Sequence, residues 1–168
     1  MTEAVDWFFH SYVEAFNRSL GDAVDVEGIR AHFSDCFVGA GPQGARCGEN
    51  GDEFAETLRQ GYAFYTSIGT KAMAVRGVTT TPIDDAHQMA RVDYRATYEK
   101  PSGETIEIDF AVTYFLEARN DTFAIFGFVA GDEMALYREQ GLLPESPGCS
   151  ARDTTASVYS DTRSVERW

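Results

Sequence analysis

Cysteine is scarce in this chain: three residues in 168, at positions 36, 47 and 149, with no Cys-x-x-Cys pair. An odd, widely spaced set argues against a disulfide scaffold and for free thiols in a reducing compartment, so a cytoplasmic protein is expected. Cys36, between Asp35 and Phe37, reads as a small core residue, since no histidine is placed by sequence to activate it. Histidine is equally sparse, with His10, His32 and His87 forming neither an H-x-H nor an H-x-x-x-H pair. No metal site is therefore expected.

Basic residues are outnumbered, 14 against 27 acidic ones, for a formal net charge of -13. Such a surface repels phosphate backbones and gains nothing from anionic lipid, which excludes nucleic acid and membrane as expected partners. No apolar run reaches the roughly 18 residues of a membrane span. The start, Met1-Thr2-Glu3-Ala4-Val5-Asp6, lacks the basic residues of a signal peptide. Also missing are a phosphate-cradling glycine loop followed by Lys and Ser or Thr, a G-x-G-x-x-G turn and a G-x-S-x-G elbow. No cofactor is expected.

What is present is apolar and aromatic: 43% hydrophobic residues, with 12 Phe and 8 Tyr. That suits a packed globule, and the length suits one domain. The composition shifts near the end, where 145–168 is rich in small polar residues. The expected division is a domain over 1–144 and a tail over 145–168, flexible or docked through Val158, Tyr159, Val165 and Trp168.

Helical spacing of Val5, Phe8, Phe9, Tyr12, Val13, Phe16 and Leu20 predicts a helix from about Ala4 to Leu20. Asp25 caps a second, shorter one running through His32. A short strand at Cys36, Phe37 and Val38 then enters a turn-rich loop over 39–44. Phe54, Leu58, Tyr62 and Tyr65 predict a third helix from Asp52 to Tyr65. After Gly69 the period changes to two, and 71–80, 88–98, 104–117 and 122–129 read as antiparallel strands. A short helix or turn follows Gly131-Asp132-Glu133. In the third of these strands both faces are partly apolar, so the sheet needs two covers. Helices supply one, and a second subunit is expected to supply the other, giving a homodimer through the sheet.

The motifs Tyr12-Val13-Glu14-Ala15-Phe16-Asn17, Phe33-Ser34-Asp35-Cys36-Phe37-Val38 and Gly48-Glu49-Asn50-Gly51-Asp52-Glu53-Phe54, with the ending from Gly131 to Leu142, resemble the nuclear transport factor 2-like superfamily. That superfamily includes ketosteroid isomerases, SnoaL-type polyketide cyclases and scytalone dehydratase. The resemblance covers Val5 to Pro144. It implies an α+β cone: three N-terminal helices packed on a strongly curved, mixed, mostly antiparallel β-sheet, with a pocket between them. It also implies that Tyr12 takes the place of the helix-borne oxyanion donor of ketosteroid isomerases. The base of those enzymes falls near Ala40 and their second donor near Ala111, neither of which can do that chemistry.

The side chains left to act are few. Tyr12 is either a core tyrosine or a pocket donor, its ordinary pKa near 10 suiting donation better than proton removal. His32 and Asp35, three apart, form either a proton-moving pair or an ordinary helix end. Asp109, two residues from Ala111, is the other candidate base. Arg91, Asp93 and Arg95 face Glu107 and Asp109 across a hairpin, as a polar pocket patch or as surface ion pairs. Phe16, Phe54, Leu58, Tyr62, Tyr65, Tyr94, Phe110, Tyr114 and Phe126 are the expected ligand-binding wall. The expected function is binding of a small, largely apolar organic molecule, with isomerase, cyclase or dehydratase-type chemistry possible on this scaffold. The alternative is a non-catalytic dimerisation or protein-interaction domain.

Overall fold

The computed structural model describes residues 2–143. The expectation for the tail, 145–168, lies outside the described residues. The order is α1 (Thr2–Ser19), α2 (Val26–Arg30), β1 (Phe33–Gly41), β2 (Gly44–Glu49), α3 (Asp52–Ser67), β3 (Thr70–Pro82), β4 (His87–Glu99), β5 (Thr105–Arg119), β6 (Thr122–Ala130) and α4 (Glu133–Glu139).

Helix α1 buries Val5, Phe8, Phe9, Val13 and Phe16, the stripe its periodicity predicts. Its last residue, Ser19, bonds the Ala15 carbonyl at 2.8 Å and receives the Asp25 amide at 2.9 Å. Asp25 then caps α2 by accepting from the Gly28 amide at 3.0 Å. On the other flank the Asn17 carboxamide brackets Met73, donating to its carbonyl and accepting from its amide. One side chain thus mimics a neighbouring strand along β3 and docks α1 on the sheet.

The sheet has six strands in the order β2-β1-β6-β5-β4-β3, antiparallel except where β1 runs parallel to β6. In β4, Ala90, Val92, Tyr94, Ala96 and Tyr98 point into the core, opposite Tyr114, Val112, Phe110, Ile108 and Ile106 of β5. Helices α1 and α3 cover this inner face, and α4 closes its far end, where Tyr137 packs with Ile68, Ala96, Tyr98 and Ile108.

Two expectations about the fold are corrected. Only two helices precede the first strand, because α3 follows the β1–β2 hairpin. The sheet is an open ladder with β2 and β3 as its edges, not a strongly curved cone wall. The central pair, β4 with β5, runs without a register shift from His87↔Glu117 to Glu99↔Thr105 and so lacks a bulge to bend it sharply; the shifts lie in the flanking β3–β4, β5–β6 and β1–β6 pairs.

The expected short strand is longer, and where a loop was expected over 39–44 it forms a hairpin with β2. Its strands continue to Gly41 and restart at Gly44, whose φ of 101° needs a glycine in the turn. Gly39 takes a buried position in the alternation, and a side chain is excluded there by packing: a Cβ would lie 2.8 Å from Phe128 Cζ. Cys36, expected in the core, is exposed, because its place in β1 turns it outward.

Candidate functional site

The inner sheet face does not fill its cover completely. A pocket of about 350 Å³ remains between β1, β5, β6 and the helices α1, α3 and α4. Tyr12 and Phe16 come from α1, Phe54, Leu58, Tyr62 and Tyr65 from α3, Tyr114 and Phe128 from the sheet, and Glu133 and Tyr137 from α4. A smaller recess of about 70 Å³ continues from it toward Met73, Tyr94, Tyr98 and Phe110, and shares Tyr12, Tyr65 and Glu133 with the main chamber. Helical spacing explains the shared wall: positions 58, 62 and 65 lie on one face of α3, as 12 and 16 do on α1.

The hydroxyl of Tyr12 has no hydrogen-bond partner among the described residues. The ring is held by edge contacts with His32, Phe33 and Tyr114, at centroid separations of 5.5, 6.3 and 6.4 Å. Burial, and then the Glu133 carboxylate, push the Tyr12 pKa well above the ordinary tyrosine value. The phenol is therefore a donor at neutral pH. Deeper in, the Tyr94 hydroxyl donates to Tyr114 Oη at 3.1 Å.

Glu133 is the carboxyl group among these aromatic rings. Its Oε2 receives the Tyr137 hydroxyl at 3.4 Å, and Tyr65 feels its charge as the largest influence on its own raised pKa. Loss of solvation raises the Glu133 pKa, and the Tyr137 hydrogen bond only partly offsets this. Asp132, the preceding residue, caps α4 by accepting from the Ala135 amide at 2.8 Å, which fixes Glu133 in the first turn.

His32 stands behind Tyr12, outside the pocket wall. Its Nδ1 donates to the Gly28 carbonyl at 2.8 Å and its Nε2 lies 2.7 Å from Ser11 Oγ. Both nitrogens are engaged, and burial lowers its pKa, favouring the neutral ring. Asp35 does not join it. That residue lies in β1, where the strand turns it to solvent, and its side chain, 92% exposed, lies 3.6 Å from Arg119.

Asp109 is on the outer face of the sheet, opposite Arg95 and paired to it at 2.6 and 2.7 Å through both oxygens. Arg91 and Asp93 form a further outer pair at 3.3 Å. Ala111 shares that face, whereas Ala40 reaches the rim of the pocket. Phe126 is also outside, against Phe115 and His87. The pocket and its recess thus bring together Tyr12, Phe16, Phe54, Leu58, Tyr62, Tyr65, Tyr94, Phe110 and Tyr114, and leave His32, Asp35, Asp109 and Phe126 elsewhere.

A family model described as NTF2-like protein (DUF6841) matches residues 2–133. The chain belongs to that family. Among solved structures, an NTF2-like protein with a cystatin-like fold from Novosphingobium aromaticivorans is similar with 14% identity and a TM-score of 0.60, over 84% of this chain and 88% of that one. Aln2 from a Streptomyces species is similar with 14% identity and a TM-score of 0.59, over 82% and 93%. A ketosteroid isomerase-like protein from Erwinia carotovora atroseptica has 16% identity and a TM-score of 0.55, over 77% and 94%. At these identities the likeness shows the fold alone. No curated protein matches the sequence.

For this NTF2-like chain, sequence reasoning missed Glu133, Tyr137, Phe37 and Phe128 as pocket groups. An acidic residue just after a helix cap reads as a partner for the helix dipole, which hides any second role. The available signal was the i, i+4 spacing of Glu133 and Tyr137, which puts a carboxyl and a phenol on one face of α4.

Proposed function

We propose that the pocket binds a small, largely apolar organic molecule and moves a proton on it, with Glu133 as the proton carrier and Tyr12 as the hydrogen-bond donor. The observation that carries this reading is a raised-pKa carboxyl and a phenol unpartnered among the described residues, both facing one aromatic-walled chamber. For a carbonyl compound, the Glu133 carboxylate takes a proton from the α-carbon, the C–H electron pair passes to the carbonyl oxygen, and the Tyr12 O–H stabilises the resulting enolate. Return of the proton to another carbon gives an isomer; attack by the enolate on a second carbonyl gives a ring; expulsion of a β-hydroxyl gives a dehydrated product. A carboxyl with a raised pKa is a stronger base than an ordinary one, which suits it to this step.

The test is deuterium exchange at the α-carbon of a panel of cyclic ketones and enones in D₂O, followed by NMR. Exchange by the native protein that is lost in Glu133→Gln and reduced in Tyr12→Phe supports the reading. Equal exchange by all three proteins overturns it.

A second reading concerns assembly. Val38 and Val129 are 43% and 47% exposed on the outer sheet face, beside the Phe115–Phe126 pair. Two copies meeting there would shield this apolar strip. A dimeric mass by light scattering that becomes monomeric in Val129→Asp supports the arrangement, and a monomeric native protein excludes it.

A further inference from the structure

Charge is unevenly used on this molecule. Every described lysine and arginine except three lies within 4.0 Å of a described carboxylate oxygen. The exceptions are Arg46, Arg76 and Arg138. Arg76 lies toward the outer face, where its charge adds to the larger effect of the Arg95 hydrogen bond in lowering the Asp109 pKa. Arg46 and Arg138 both line the pocket, one from the hairpin and one from α4. In a chain of net charge -13, with carboxylates in excess, two guanidinium groups at one opening without an ion-pair partner among the described residues are out of proportion.

The pocket is also polarised along its length. Arg46, Arg138 and Asp132 are exposed and line only the main chamber, Asp132 being engaged as the α4 cap, whereas Glu133 and Tyr12 line both the chamber and the recess. Two guanidinium groups against one carboxylate leave the mouth with an excess of positive charge, and Glu133 with the tyrosines sits within. A ligand carrying an anion deep in the pocket would meet Glu133 in an apolar surround. One carrying it at the mouth would meet two guanidinium groups that no described carboxylate engages.

We infer that the ligand is an amphipathic organic anion, such as an aromatic or alicyclic carboxylate, bound with its ring system among the tyrosines and its charged end at Arg46 and Arg138. This rests on the pocket being a small-molecule site, and it adds the charge and the orientation of the occupant. The acidic surface elsewhere repels such an anion, so the arginine pair also marks an entrance that attracts it.

The probes are 2-naphthoate and its neutral counterpart 2-naphthamide, titrated by calorimetry at low and at high sodium chloride. The native protein is expected to bind the carboxylate at least about fivefold more tightly than the amide at low salt, with the difference shrinking at high salt. Arg46→Gln and Arg138→Gln should each remove severalfold of carboxylate affinity while leaving the amide unchanged, and Arg76→Gln should change neither. Circular dichroism of each variant checks that it is folded. Equal binding of both probes, or arginine variants that bind the carboxylate like the native protein, overturns the anion inference and leaves the pocket standing. Binding of neither probe overturns the small-molecule reading and this inference together.

Discussion

The Tyr137 hydroxyl donates to Glu133 Oε2 across one turn of α4, at 3.4 Å, and this is the hydrogen bond that the Glu133 carboxyl makes inside the aromatic pocket. One long hydrogen bond compensates poorly for the solvent that the carboxylate loses, which is why its pKa rises.

Glu133 therefore contributes to stability in a pH-dependent way. Its folded-state pKa is raised, so the folded protein binds the proton more tightly than the unfolded chain between the unfolded value of 4.5 and the folded one. The contribution is fully present below 4.5 and is lost as pH rises through the folded pKa. Glu133→Gln is expected to melt higher than the native protein at about pH 8 and to lose that advantage near pH 4, as read by thermal denaturation across pH.

His32 behaves in the opposite sense. Burial depresses its pKa below 6.5, so its contribution is present above that value and is lost as pH falls through the folded pKa. Its imidazole resonances in an NMR titration should show a midpoint below 6.5, with stability declining over the same interval. A midpoint at or above 6.5 would contradict the buried position behind Tyr12.

Tyr12→Phe removes a hydroxyl that bonds to no described protein group. Stability is expected to change by less than about 1 kcal/mol, because no buried partner is left unpaired. Activity on a carbonyl substrate is expected to fall by roughly 10²-fold, the typical loss for one oxyanion donor. Urea titration and steady-state kinetics on the same preparation separate the two effects.

Gly39→Ala places a methyl group 2.8 Å from Phe128 Cζ. The ring must move into the pocket or the strand must shift, at a cost of about 1–3 kcal/mol. Lower stability together with weakened 2-naphthamide binding is the expected pair of outcomes, and unchanged stability would mean that Phe128 yields freely.

Asp109→Asn breaks the outer-face pair with Arg95 and touches no pocket wall. Ligand binding should be unaffected and thermal stability little changed, since exposed ion pairs contribute little. Loss of binding in this variant would require that the outer face communicate with the pocket.

The apolar periodicities were sufficient to read α1, α3 and β3 to β6, and the run at Cys36, Phe37 and Val38 marked part of β1, because a helix stripe and a strand alternation leave repeats of 3.6 and two residues in the chain itself. Positions 12, 16, 54, 58, 62 and 65 were legible as pocket wall for the same reason: each lies on the apolar side of its own helix. The fate of the polar groups was not local. Asp35 turned to solvent because β1 begins before it, and Asp109 found Arg95 because the register of β4 with β5 put them opposite each other. Glu133 became the desolvated carboxyl only because α4 folds back over the end of the sheet, among tyrosines drawn from α1, α3, β4 and β5. Side-chain periodicity is written along the chain, but desolvation depends on what distant segments bring alongside, and that tertiary placement decided which acidic residue sits among the tyrosines.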